Sequence, residues 1–586
     1  MDYHVSFVHW DTKPDGRHGM FGLTPWDWLA LIAYLVSVTA IGLWTARRIK
    51  DTADFFMGGR NFGKVSMVFF SFGAGTSGND AVGVAAKTYT NGLSGIWYAW
   101  LWLFATPFYW LIAPAFRRMR ALTTGDYFEY RYDKSTAALY TLVGVLQLSV
   151  NIGVIMLASS KFIEAITDGG IGQTASVLIT TVLFVAYGMA GGLAAAIVTD
   201  LMQGILTIIL SFMILPIALK VVGGFSGLHE SITDLHMFSL VAPGEINGFH
   251  IAMFGLNALI GIVTQPHIMG VCAAGRSELD GRVGFACGNL LKRVCTVAWM
   301  LTGLCGVALY MKTRPDLHPD LVYGQMAREL LPTILPGLVG VFLAALLASV
   351  MSSCDAFMVA SSGLFTQNFY RRYVVKNREE GHYVNVGRIS GMVIVIASIT
   401  FAFAFENVPA GLETFWKIQA MMGAAFWIGL YWRRATPAGA WAGTLGAFAV
   451  VLLTGTDGFN AWAAANLPEF MVWDGKFRIS WQMFCYLSTG FGLCIVVSLL
   501  TPRLPKAQLD RFYNCLHTPV RGEEPHMREP FSLPAGVEPD VPRKLINHPD
   551  FEFPVPSAVG ILGFIVLWAC VGIMVWFVFA MARWGT

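Results

Sequence analysis

The sequence predicts an all-α polytopic membrane protein, and three features of it carry that prediction. Hydrophobic residues make up 55% of the 586 residues and charged residues 13%, with a mean hydropathy of +0.57. Soluble domains carry about 25% charged residues, so this is a chain built to face lipid. Apolar stretches that meet the requirement of roughly 20 residues per span recur about fourteen times. Basic residues sit in short blocks between these stretches and not on one surface. The net charge of +3 therefore reports orientation and excludes a nucleic-acid partner.

The apolar stretches start near residues 25, 65, 95, 136, 172, 195, 250, 283, 334, 386, 411, 436, 480 and 555. Segment 1–24 is polar and of mixed charge (Asp2, Lys13, Asp15, Arg17) and lacks a cleavable signal, so 25–46 is expected to be a retained helix. Alternate loops are basic: Arg47, Arg48, Lys50, Arg60 and Lys64; Arg117, Arg118, Arg120, Arg131 and Lys134; Arg371, Arg372, Lys376, Arg378 and Arg388; Arg433 and Arg434. These are expected to face the cytoplasm. The intervening loops are poor in Lys and Arg or lean acidic (Glu164 and Asp168; Glu230, Asp234 and Glu245; Glu406). An even number of spans then leaves both termini outside, in a cell membrane. Segment 502–554 carries Pro502, Pro505, Pro519, Pro525, Pro530, Pro534, Pro539 and Pro542, and reads as a cytoplasmic linker, not a folded domain. The last span is expected over 555–582.

The chemistry classes narrow in the same way. Cys287, Cys295, Cys305, Cys354, Cys494 and Cys570 lie in apolar runs without CxxC spacing, which suits packing and not zinc, iron or disulfides. No nucleophile, base and oxyanion donors recur together, so no enzyme and no organic cofactor is expected.

Residues 71–87, SFGAGTSGNDAVGVAAK, break the apolar pattern. Small residues for close helix packing account for Gly73, Gly75 and Gly78. They do not account for Thr76, Ser77, Asn79 and Asp80 in the same two turns, because an intramembrane carboxylate is costly and faces a cavity or a partner. A broken helix accounts for both: the backbone unwinds, its carbonyls face a cation, and half-helix ends face a solute. A second cluster, LASVMSSCDAF over 347–357, sets Ser349, Ser352 and Ser353 within one turn. Ser349 and Ser352 share a face, and hydroxyl oxygens suit a hard cation. Bonding of each Ser to the preceding turn is the competing account.

Other polar residues at membrane depth are Gln147 and Asn151, four apart on one face, and Gln265. They are candidates for a central cavity or for bonds between packed helices. Lys417 and Gln419 are weaker candidates, Asp355 adjoins the serine cluster without an assigned role, and His267 reads as a helix-end marker.

The fragments FFMGGR (55–60), GGLAAAIVTDLMQG (191–204), TQPHIM (264–269), ASVMSS (348–353) and GLYWRRATPAGAWAG (429–443) occur in an order and spacing that resembles the sodium/solute symporter family over residues 25–500. The resemblance implies a LeuT-like core of two inverted five-helix repeats, 62–222 and 250–432. One extra helix would precede it (25–46) and three follow, two of them within 436–501. It implies sodium held by carbonyls of Gly73 and Thr76 and by Ser349, Ser352 and Ser353, with Asp200 on an ion path or a second sodium site. A helix-end acid is the other account of Asp200. Sodium is the only metal implied. Positions after the break, Gly78, Asn79 and Asp80, correspond to substrate-facing positions of relatives. Where several relatives carry Asn or Asp before the second carbonyl ligand this chain has Gly75, so a sugar- or proline-like pocket does not carry over. For Asp80, three roles stay open: pairing with a cationic solute group, binding another ion, or bonding internally, toward Lys87. The function implied is sodium-coupled import of a small organic solute by alternating access. A proton-coupled symporter and a transporter-like sensor acting through a partner are the alternatives. Solute and oligomeric state are not specified.

Overall fold

The computed structural model describes residues 20–47, 51–242, 245–520, 524 and 529–585. Most of segment 1–24, together with Arg48, Lys50 and Pro525, lies outside the described residues. Apart from a short ribbon, β1 (Val472–Trp473) and β2 (Lys476–Phe477), the described elements are helical.

Helix α1 (Pro25–Ala46) opens on a capping box. The Thr24 N–H donates to Asp27 at 2.8 Å and the Asp27 N–H donates to Thr24 Oγ1 at 3.3 Å, with proline at the first helical position. After α2 (Thr52–Met57), α3 (Lys64–Ala74) and α4 (Gly78–Asn91) form one interrupted span. Then come α5 (Trp97–Trp100), α6 (Thr106–Arg118), α7 (Thr124–Arg131) and α8 (Lys134–Ile166). Helix α9 (Gln173–Met213) covers both of the starts expected near 172 and 195. It kinks at Gly192 (φ 55°, ψ −158°), where a Cβ would run into the Phe55 carbonyl, so the backbone there requires glycine. Helices α10 (Leu215–Val222) and α11 (Gly224–Ser231) follow. A second interrupted span consists of α12 (Gly248–Ile262) and α13 (Ile268–Ala273), parted at the Pro266 segment. Beyond it lie α14 (Glu278–Tyr310), α15 (Val322–Leu330), α16 (Leu338–Gly363), α17 (Glu380–Ala402), α18 (Val408–Ala420), α19 (Gly423–Tyr431), α20 (Pro437–Thr454), α21 (Asp457–Asn466), α22 (Ile479–Leu500), α23 (Lys506–His517) and α24 (Ala558–Met581).

Among the described residues, nine helices are long and apolar enough to cross a membrane. The interrupted spans fall short of that length because the break halves them, as in Lys64–Ala74 and Gly248–Ile262. Backbone polar groups freed at such breaks are tolerated at membrane depth only when enclosed by protein. Enclosure is what the packing supplies, since α3 and α4 lie against α14 and α16, and α4 also against α8. The outer faces are apolar: Trp26, Leu29, Ile32 and Val36 on α1, and Leu562, Ile565, Ile573 and Trp576 on α24, are exposed. The polar side chains discussed below are buried, the inversion expected when lipid is the solvent.

The linker reading of 502–554 is corrected. Its first third forms α23, which packs on α6 and α7 and buries Leu509, Phe512, Tyr513 and Leu516. These recur at i, i+3, i+4 and i+7, an amphipathic stripe that the proline count obscured. Tyr513 donates to the Gly429 carbonyl at 2.7 Å, and buried Glu552 pairs with Arg433 at 2.5 Å and Lys544 at 2.9 Å. Arg120 pairs with Glu524 at 2.6 Å.

His517, on α23, is 3.7 Å from Glu552. Burial, assisted by Lys544, Arg118 and Arg433 and opposed by Glu552, lowers its pKa from 6.5 to about 4. The unfolded imidazole takes up a proton below about 6.5 and the folded one only near 4. The unfolded state therefore binds more protons in that window, and stability is lost as pH falls through it. Thermal unfolding of His517→Gln is expected to be less sensitive than wild type to acidification from pH 7.5 to 5. Equal sensitivity of the two would refute the assignment.

Candidate functional site: a cavity at the first helix break

The α3–α4 break is built from Gly75, Thr76 and Ser77. Gly75 closes α3, and Ser77 is the extended residue that opens α4 (φ −135°, ψ 174°). Asp80, third in α4, accepts the Ser77 N–H at 3.1 Å, and Ser77 Oγ donates to Asn79 Oδ1. A short acidic side chain in the first turn satisfies an otherwise orphaned donor and complements the helix dipole.

Across the break stands α16. Ser353 Oγ lies 2.9 Å from the Gly73 carbonyl oxygen and 3.3 Å from that of Thr76, donating toward both. Ser352 Oγ donates to Asp200 Oδ1 on α9 at 2.5 Å. The hydroxyls of Ser349 and Thr76, Asp200 Oδ2 and both oxygens of Asp355 are buried without a hydrogen-bond partner. Buried polar atoms of that kind are rare and call for a ligand or a proton. The donor set is oxygen throughout, the set a hard cation prefers over sulfur or imidazole. Close by, Gln203 donates to the Tyr34 hydroxyl at 3.1 Å, which in turn donates to Met351 Sδ at 3.6 Å.

The break also opens on a small cavity lined by polar, charged and aromatic side chains. Of the residues expected to contact a solute, Asn79, Asp80, Asn151 and Gln265 line it. Gly78 does not: its α-carbon packs toward Leu346 on α16. Gln147 is buried near these residues but outside the cavity lining, with its Nε2 unpartnered. Gln265 donates to Gln419 at 2.5 Å, and neither Gln419 nor Lys417 is in the cavity wall. His267 is in the wall, against Phe357.

The partner suggested for Asp80 is corrected. Lys87 pairs with Glu245 at 2.6 Å. Asp80 pairs instead with Lys292 on α14, at 2.9 Å, and Lys292 Nζ also donates to the Gly75 carbonyl. Among the three open roles, internal bonding is the one observed. Lys292, Arg293, Asn289 and Trp102 all line the cavity and were missed from the sequence. One signal was present: two adjacent basic residues inside the long apolar run of α14, where charge is costly and functional by default. Lys292 sits 5.4 Å and Arg293 5.8 Å from the Trp102 ring centre.

A family model, the sodium:solute symporter family, matches residues 55–446. The osmoregulated proline transporter OpuE of Bacillus subtilis is 24% identical over 499 residues, covering 83% of this chain and 96% of OpuE. The sodium/glucose cotransporter of Vibrio parahaemolyticus is 24% identical over 467 residues, covering 72% and 84%. Among solved structures, a Na+-coupled sialic acid symporter in a substrate-bound outward-open state aligns with a TM-score of 0.67 at 17% identity. That alignment covers 82% of this chain and 99% of the other.

Proposed function

The chain belongs to the sodium:solute symporter family, and from that premise we propose that it imports a small organic solute by alternating access, driven by sodium bound at the α3–α4 break. It is a multi-pass membrane transporter and not an enzyme. Its coarse activity is sodium-coupled symport.

The observation that carries the reading is the meeting of Ser353 with the Gly73 and Thr76 carbonyls across the break. Sodium would be held by those two carbonyls together with the Ser349, Ser352 and Ser353 hydroxyls. Asp200 and the unpartnered Asp355 beside it supply negative charge for a second ion or an ion path. The solute would bind in the adjoining cavity, between α4, α8, α14 and the α12–α13 break. Sodium favours solute only through its differential affinity for the same conformation, so both sites must belong to one state of the protein. The segments 62–222 and 250–432 would then rock against each other to release both inside, in a plasma membrane and with both termini outside.

The unpartnered carboxylates also support a proton-coupled version. Uptake of labelled solute into proteoliposomes separates the readings. Accumulation is expected with an inward sodium gradient and not with a proton gradient in sodium-free buffer. Accumulation driven by protons alone would replace the coupling ion. Binding without accumulation under either gradient would overturn transport in favour of a sensor.

A further inference from the structure

The charge inventory of the cavity is unequal. Its wall holds two cations, Lys292 and Arg293, and one carboxylate, Asp80. Asp80 is committed to Lys292 at 2.9 Å. Arg293, buried, has only neutral partners: Nη1 donates to the Ala99 carbonyl at 2.9 Å and Nη2 to Asn289 Oδ1 at 3.3 Å, while Nε has no partner. A guanidinium buried without a counter-charge is expensive, and the expense is recovered when an anion arrives. Sodium at the neighbouring break adds positive charge.

Resting on the symporter reading, we propose that the solute is a small organic carboxylate of net negative charge, carrying no ammonium group, with its charge beside Arg293 and Asn289 and its body against the rest of the wall. Guanidinium geometry matches a carboxylate's two oxygens. The rest of the lining includes the apolar side chains of Ile262, Phe357, Leu412 and Phe415, with Trp102 beside the two cations. An inorganic anion would leave that surface uncovered, whereas a short hydrocarbon or aromatic body covers it. A cationic solute group would meet Lys292 and Arg293 with Asp80 already neutralised. A neutral polyol would leave Arg293 without its counter-charge. The same arrangement explains coupling: sodium and a carboxylate bound in adjoining sites of low dielectric attract, so each raises the other's affinity by the same factor.

The test is thermal stability of the purified full-length protein, in sodium or in N-methyl-D-glucamine, with propionate, pyruvate or benzoate against D-glucose, L-proline, choline and inorganic phosphate. At least one of the three carboxylates is expected to raise the melting temperature in sodium, and glucose, proline, choline and phosphate are not. Arg293→Gln is expected to weaken that ligand by about tenfold or more, the loss of a charge-assisted pair. Arg293→Lys, which keeps the charge, is expected to retain part of the affinity should the glutamine variant not fold. Silence of all three carboxylates, or a sodium-dependent shift with glucose, proline or choline instead, overturns the carboxylate assignment and leaves the symporter reading standing. A shift with phosphate alone makes the site one for inorganic anions and also overturns it. Carboxylate binding undiminished in both Arg293 variants overturns the role of Arg293. Carboxylate binding that ignores sodium, with no gradient-driven uptake, overturns the symporter reading and leaves the anion site in place.

Discussion

Replacing Gly73 by alanine is expected to abolish sodium-dependent uptake at sodium concentrations that saturate the wild type. A Cβ at this position falls directly on Ser352 Oγ and comes within 3.2 Å of Asp200 Cγ and 3.3 Å of its Oδ1. The methyl group would thus stand among the oxygens assigned to the ion and displace the Ser352 hydroxyl from its 2.5 Å bond to Asp200. Overpacking of a well-filled interior costs about 1–3 kcal/mol. Here the displaced atoms are the proposed ligands, so the cost falls on ion binding: roughly a tenfold loss of affinity for each 1.4 kcal/mol. The half-saturating sodium concentration in a proteoliposome assay reads this out. An unchanged value with intact folding would remove the break from the ion site. Gly75→Ala is the control, because its nearest contact is the Ser71 carbonyl in its own segment, at 3.1 Å, and not a group on α16 or α9.

The second large effect is on stability. Lys292→Ala strands Asp80 as a buried, unpaired carboxylate and takes a donor from the Gly75 carbonyl. Breaking a buried pair from one side costs about 3–5 kcal/mol, whereas replacing both partners by neutral groups of similar shape is far milder. The single variant is therefore expected to melt well below wild type. The double variant Asp80→Asn, Lys292→Gln should recover most of the loss, since an amide at 292 still donates and an amide at 80 still accepts. Losses that simply add in the double variant would mean the two residues are not coupled.

How much of this could be read in advance depended on whether the signal was local. The membrane class and the helical architecture follow from composition and run length, and the break follows from glycines and polar residues crowded into two turns at 73–80. The serines at 349, 352 and 353 are recognisable because helical spacing puts them on one face. The Asp80–Lys292 pair spans 212 residues, so no local pattern links its two ends. Lys292 and Arg293 stood out only as charges in an apolar run, and the nearest basic residue to Asp80 in the chain, Lys87, points elsewhere. In 502–554 the reverse happened. Ten prolines spoke for extended chain, but the apolar stripe of α23 lies between Pro505 and Pro519, untouched by either. Proline sets where a helix ends, not whether a segment without it can form one.

The ammonium of Lys292 balances the Asp80 carboxylate from a side chain that neither face of the membrane can remove. An ion in that place would have to be drawn from one compartment and delivered to the other, and each elementary charge so moved exchanges about 2.3 kcal/mol per 100 mV with the membrane potential. A tethered charge is never delivered. The protein thereby keeps the electrostatic benefit of a cation beside the break without enlarging the current of each cycle, and the voltage sensitivity of transport is left to the ions and solute that actually leave.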